Sequence, residues 1–392
     1  PRILECAKIL DGSMSLAASV QSLDKEVLEK VKRNNISEQQ LLEMTKAGNE
    51  LSANTYSEVI LALPGDSKEK HFKTVLKLID SEINIISMYQ CMILDGSELG
   101  SNFSKNSYNM QTKYRVLPRC FGIYNFEDKE ILSAEIEEIC VSTKTLPIED
   151  YYESRSFALT IGLFYQDRIL LELYQYLKNF DISPSELLQI LHKNRMSYSN
   201  GIKELFRSFD YDTKHELWDK KEDVRKIVKK DKRVLEKYAK GELGVNVLFK
   251  HRAIGALELI KDIIPEEFQK SKEFLEELKM FSYLRKTNVF DYEQKFTHRF
   301  SYDFEKLIDS NFSEYPIKLK NSINVEFFAD EKQKIMIKEK IEENGSDVNG
   351  IGKILSKMLG NMLQRKVKFD SRAMKENILE NVEISTSPGE FV

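Results

Sequence analysis

Three short, almost wholly apolar runs in the first hundred residues constrain the fold most tightly: "MSLAASVQS" (14–22), "YSEVILALP" (56–64) and "INIISMYQCMIL" (83–94). Strands apolar on both faces are covered on both sides, which is the signature of a parallel sheet with crossover helices. The intervening segments supply those helices. Ser22 to Asn34 places Leu23, Val27, Leu28 and Val31 on one face. Ser37 with Gln40 three places on reads as a capping box for the next helix, stopped at Gly48. Asp66 and Ser67 cap a third from Lys68 to Asp80, and "PRILECAKIL" predicts another that ends at Asp11-Gly12. Repeated strand-helix units form either an open doubly wound sheet or a barrel.

The rest of the chain is different. "SNFSKNSYNMQTKY" (101–114) reads as a polar connection, "YRVLPRCFGIY" (114–124) as a strand and acidic "SAEIEEIC" (133–140) as a short helix. From Ile148 to about Lys286 the pattern is helical, with Ser183-Pro184-Ser185-Glu186 a strong helix start. Beyond it lie a strand at 322–329, helices over 330–344 and 349–362, a returning strand in "RKVKF" and a frayed "STSPGEFV" tail. The expected organisation is four parts: 1–105, 106–150, 151–310 and 311–392.

With 392 residues, 41% hydrophobic and 31% charged, the chain reads as a soluble multidomain protein. A net charge of -4 gives no general reason to expect a nucleic-acid partner. The basic run 220–241 places Val224, Ile227, Val228, Val234, Leu235 and Tyr238 on one helical face, so its lysines read as a solvated side. No run is apolar for the ~18 residues a membrane span requires, so no membrane association is expected. Cys6, Cys91, Cys120 and Cys140 are too scattered for a disulfide framework or a metal loop, which suggests a reducing, cytoplasmic setting. The five histidines show no ligand spacing, so no metal site is expected within the chain. "GSDVNGIGK" (345–353) lacks the Lys-Ser/Thr end of a phosphate loop and reads as a helix-capping turn.

Within the apolar strands, alternation separates two faces. Ala17, Ser19 and Gln21 share one, as do Glu58, Ile60 and Ala62, and Met88, Gln90 and Met92. Buried polar groups face one another, water or a ligand. This pattern fits an internal hydrogen-bond network and a polar ligand across a barrel mouth equally well.

These segments resemble the radical S-adenosylmethionine superfamily, in particular its cobalamin-binding subgroup. "SVQSLDKEVLEKVKRNNISEQQLLEM" looks like that family's fourth barrel strand and the helices after it. "EVILALPGDSKEKHFKTVLKLI" is similar to its fifth strand and Gly-Leu-Pro-Gly-Glu-Thr corner, and "ISMYQCMILDGSELG" to its sixth. "YRVLPRCFG" and "EIEEICVSTKTLPIEDYYESR" resemble the stretch after the barrel, so the likeness reaches about residue 160. It implies a partial (βα) TIM-like barrel over 1–105, a β-containing segment, a mostly helical domain and a small α+β tail. It further implies that Ser19 and Gln21 contact the ribose of S-adenosylmethionine, that Glu58, Ile60, Ala62, Gln90 and Met92 line the rest of it, and that Arg33 is a cationic partner.

Ala62 stands where the family has Gly, Asp66-Ser67 where it has Glu-Thr, and Asp95 where it has Pro. The Cys-x3-Cys-x2-Cys loop that holds the family's 4Fe-4S cluster has no counterpart, and a cluster requires thiolates within reach of one cube. With Pro1 at the start, the expectation is the C-terminal part of a cobalamin-dependent enzyme of methyl transfer or carbon-skeleton modification. It would be inactive alone, its cluster and cobalamin ligands lying in a missing N-terminal half or a complementary chain. The alternative is a non-catalytic half-barrel used as a scaffold or docking module. Arg115, Arg119, Cys120 and Tyr124 are further candidates for reaching the barrel mouth, Cys120 only weakly as a reactive thiol.

Overall fold

A computed structural model describes residues 5–6, 9, 16–50, 55–166, 170–198, 200–239, 272–286, 291–347, 350–351, 354 and 364–370. Along the chain run β1 (Leu16–Ala17), α1 (Lys25–Lys30), α2 (Glu38–Glu50), β2 (Thr55–Leu61), α3 (Lys68–Asp80), β3 (Ile85–Gln90) and β4 (Met92–Ile93). Then come α4 (Asn102–Ser107), β5 (Gln111–Phe126), β6 (Lys129–Ser142), α5 (Ile148–Phe164), α6 (Leu171–Leu177), α7 (Pro184–Lys193), α8 (Asn200–His215), α9 (Lys221–Lys230) and α10 (Lys232–Ala239). The chain continues with α11 (Lys272–Arg285), β7 (Phe296–Tyr302), α12 (Phe304–Asp309), β8 (Lys318–Phe328), α13 (Glu331–Asn344) and β9 (Lys366–Phe369). These elements form two compact units, Pro1–Leu159 with Glu204–His251, and Thr160–Lys203 with Arg252–Val392.

In the first unit β1, β2 and β3 are neighbours in one parallel sheet. The crossover α3 forms where its sequence starts and stops it. Ser67 accepts from the Lys70 N–H, Glu69 lies in the first turn and Lys77 in the last. His71, Thr74, Val75, Leu78 and Ile79 make its buried stripe. Each such apolar side chain contributes about 1.5–3 kcal/mol. The chain thus has mixed α/β character with a parallel sheet.

The third apolar run is interrupted. β3 ends at Gln90, Cys91 donates to the Leu61 carbonyl at 2.9 Å, and Met92–Ile93 joins a second sheet of order β4-β6-β5. That sheet is a long antiparallel hairpin, and it corrects the helix expected at 133–140. Alternation decides the outcome: Ala134 and Ile136 face the Val116, Val224 and Val228 cluster, while Glu135 and Glu137 take the other side. Pro118 is tolerated inside β5 because the pairing shifts register between Val116 and Phe121. The polar connection 101–114 contains α4, capped by Ser101. Basic helices α9 and α10 bury Val224, Val228 and Leu235 against the hairpin and leave their lysines outward.

In the second unit, Ser183 caps α7 by accepting from Glu186. Asp330 and Gln333 form a complete capping box on α13. β7, β8 and β9 make an antiparallel sheet around stacked and edge-on rings of Phe274, Phe281, Phe300, Phe304 and Phe327. Strand β7 has no counterpart among the elements expected from sequence. Gly345 ends α13 at φ +84°, and the Asp347 side chain accepts from Gly350, as expected of a capping turn. Most of 1–15, 240–271 and the predicted helix 349–362, and all of the 385–392 tail, lie outside the described residues. No helix among the described residues is long and apolar enough to cross a membrane.

Candidate functional site

Parallel pairing decides which side chains meet. Glu58 is in register with Ser87, and Ile60 with Tyr89. Along β2, Ser57, Val59 and Leu61 are buried, whereas Tyr56, Glu58 and Ile60 are half-buried. On this second face Ser19 Oγ donates to Glu58 Oε2 at 2.8 Å and Tyr56 Oη donates to Glu58 Oε1 at 2.5 Å. Tyr89 Oη lies 3.4 Å from Tyr56 Oη, and its ring is half exposed. Burial, then the bond to Glu58, pushes the Tyr56 phenol upward, so it remains a donor. Arg33 Nη2 donates to the Ser19 carbonyl at 2.5 Å and fixes the loop beyond β1. Gln21 contributes backbone: its N–H donates to the Glu58 carbonyl, and its carbonyl accepts from Ile60. Both Gln21 (φ 58°) and Ala62 (φ 69°) hold left-handed backbone at the carboxyl ends of adjacent strands. Non-glycine residues adopt this conformation at a cost of roughly 1–2 kcal/mol.

Two expected lining residues are elsewhere. Gln90 is in register with Leu61, on the face opposite Glu58, and accepts from Arg115 Nη2 at 2.9 Å. Met92 is exposed on β4, paired with Ile139 of the hairpin. Ile60 lines the Glu58 face and packs against the apolar cluster of Leu61, Cys91 and Ile139. Ala62 is fully buried at the corner. Ser19, Arg33, Glu58 and the Gln21 backbone are therefore brought together, whereas Gln90 and Met92 are not. Sequence reasoning missed Tyr56 and Tyr89. Tyr56 stands two places before Glu58 and so shares its face, a signal the quoted strand contained.

Cys91 and Cys140 are buried free thiols, and burial pushes both upward, Cys140 to about 12. Cys6 and Cys120 are exposed. Among the described residues no group of three or more His, Cys, Asp or Glu side chains could hold a metal. Tyr124 is exposed near the hairpin tip, and nothing is described of the Arg119 side chain. Comparison with known proteins finds no matching family model and no matching curated protein.

A second polar cluster lies where the hairpin meets α5 and the end of α8. Arg115 donates from Nε to Glu137 at 2.5 Å, from Nη1 to Glu216 at 3.0 Å and from Nη2 to Gln90. Arg115 and Glu137 are directly opposed across the strands, so this ion pair is part of the hairpin register. Burial raises the Glu216 carboxyl above its usual range, against the opposing pull of Arg115 and Arg155. Burial lowers the Arg155 guanidinium.

Proposed function

We propose that the parallel sheet is part of a radical S-adenosylmethionine (βα) barrel of the cobalamin-binding subgroup, and that its Glu58 face holds the adenosyl end of S-adenosylmethionine. The observation that carries the reading is one carboxylate shared by Ser19 and Tyr56 across adjacent parallel strands, just before two left-handed strand ends. A carboxylate offers about four lone-pair sites, so Glu58 keeps acceptor capacity for the paired hydroxyls of a ribose. The half-exposed Tyr89 ring supplies a stacking surface beside it. Strand carboxyl ends are where ligands gather in such folds.

The chain contributes binding surface. Its sequence carries no Cys-x3-Cys-x2-Cys loop, and no chemical step is assigned to it. Methyl transfer or carbon-skeleton chemistry belongs to the proposed intact enzyme. The cysteine placement favours a second reading, a half-barrel that serves as a docking module.

Equilibrium dialysis against S-adenosylmethionine and S-adenosylhomocysteine separates the two. Saturable binding, weakened about tenfold by Glu58→Gln, is expected from loss of roughly 1.4 kcal/mol at one charged acceptor. A folded chain that binds neither compound, or a Glu58→Gln variant that binds both unchanged, removes the adenosyl reading and leaves the docking one.

A further inference from the structure

The facing sides of α5 and α8 carry more buried polar atoms than they satisfy. Arg155 of α5 lies over the Phe209 ring of α8, 5.7 Å from its centroid, so the two helices meet there. Tyr151 stands one turn before Arg155. Thr213 stands one turn after Phe209, with Glu216 three residues further. Tyr151, Arg155, Thr213 and Glu216 are each no more than 2% exposed. Among the described residues, Tyr151 Oη, Arg155 Nε and Nη2, Thr213 Oγ1 and Glu216 Oε2 have no hydrogen-bond partner. Buried side-chain polar atoms are nearly always paired. Five unpartnered atoms on two facing segments call for a common partner.

The chemistry of these atoms defines it. Nε and Nη2 form one edge of the guanidinium, with two parallel N–H bonds at the spacing of carboxylate oxygens. Tyr151 adds a hydroxyl donor, Thr213 a hydroxyl that donates or accepts, and Glu216 an oxygen whose role depends on its proton. Arg115 is already committed to Glu137, Glu216 and Gln90, so it holds the cluster in place, and among the described residues of this cluster Arg155 is the cation with an unfilled edge.

We propose that the facing sides of α5 and α8 bind a small monocarboxylate, its oxygens held by Arg155 Nε and Nη2, with Tyr151 and Thr213 donating and Glu216 completing the shell. The groups facing Glu216 are Arg115 and Glu137 from the hairpin and Tyr151 and Arg155 from α5. Charge balances when the arriving anion pairs with Arg155 and Glu216 takes up a proton at Oε2, where it donates to the ligand. Burial already favours that proton. One proton is then bound with each carboxylate, and affinity rises as pH falls. None of these residues belongs to the Glu58 face, so the site stands or falls separately from the adenosyl reading.

The full chain is titrated with sodium acetate against sodium chloride at equal ionic strength, following the urea unfolding midpoint and the linewidth of carbon-13 acetate. Saturable stabilisation and broadening by acetate alone is expected, tighter at pH 6 than at pH 8 by up to about tenfold per unit. Arg155→Lys loses it, since an ammonium has no fork. The near-isosteric Tyr151→Phe and Thr213→Val each weaken it by about three- to tenfold. The site is overturned if acetate and chloride act alike, as when internal water alone satisfies the cluster, or if Tyr151→Phe and Thr213→Val both titrate as the parent does.

Discussion

Glu58 and Glu216 are carboxylates in opposite circumstances. Glu58 accepts from two hydroxyls on a half-buried face, while Glu216 is 2% exposed with one oxygen held by Arg115 and the other unpartnered. For Glu216 burial wins, and the folded chain holds its proton to higher pH than the unfolded chain does. Folding therefore takes up a proton above the ordinary glutamate range, and stability falls as pH climbs from that range through the raised value. The glutamine of Glu216→Gln keeps an acceptor for Arg115 but has no proton to exchange. Its urea midpoint is expected to vary less with pH across that window than the parent's, and an equally steep profile would contradict the assignment. The polar face of β2 was legible in the residues because alternation alone separates Glu58 from Val59 and Leu61. The partner face of β3 was not. Register with β2 depends on the length and seating of the α3 crossover, and an offset of one residue moves Gln90 to the far side.

Helix starts were the most readable elements. Ser67 and Ser183 each accept from a backbone N–H three residues on, as their sequences suggest, and Asp330 does the same at the start of the helix expected over 330–344. Removing one such acceptor is a clean test. Ser183→Ala should cost about 1 kcal/mol in urea unfolding of the second unit, and no measurable loss would mean that Pro184 and packing alone set the start of α7. The hairpin was the least readable element. "SAEIEEIC" carries three glutamates, which favour helices, yet the pairing of Arg115 with Glu137 and the apolar contacts of Ala134 and Ile136 override that preference. The opposed charges of "YRVLP" and "EIEEI" were the available signal, and its value appears only once the strands are aligned.

At the scale of the whole molecule, neither unit is a continuous stretch of chain. The first unit needs 204–251 to finish what 1–159 begins, because α9 and α10 cover the Val116 and Ile136 side of the hairpin and Glu216 completes the shell of Arg115. A chain cut after Leu159 is therefore expected to be insoluble or to bind a hydrophobic dye, despite containing every residue of the parallel sheet. A soluble, cooperatively unfolding product of that length would show the first unit to be independent of its returning segment. The four consecutive parts anticipated from sequence follow changes of composition, and composition does not reveal a chain that leaves a core and comes back.

That return sets a schedule for synthesis. Arg115 and Glu216 are 101 residues apart. At a translation rate of about 5–20 residues per second, Arg115 leaves the ribosome roughly 5–20 s before its second counter-ion. Throughout that interval the newborn hairpin exposes a cation and an apolar flank whose cover has not yet been made, which makes it a natural client for whatever chaperone waits at the exit tunnel.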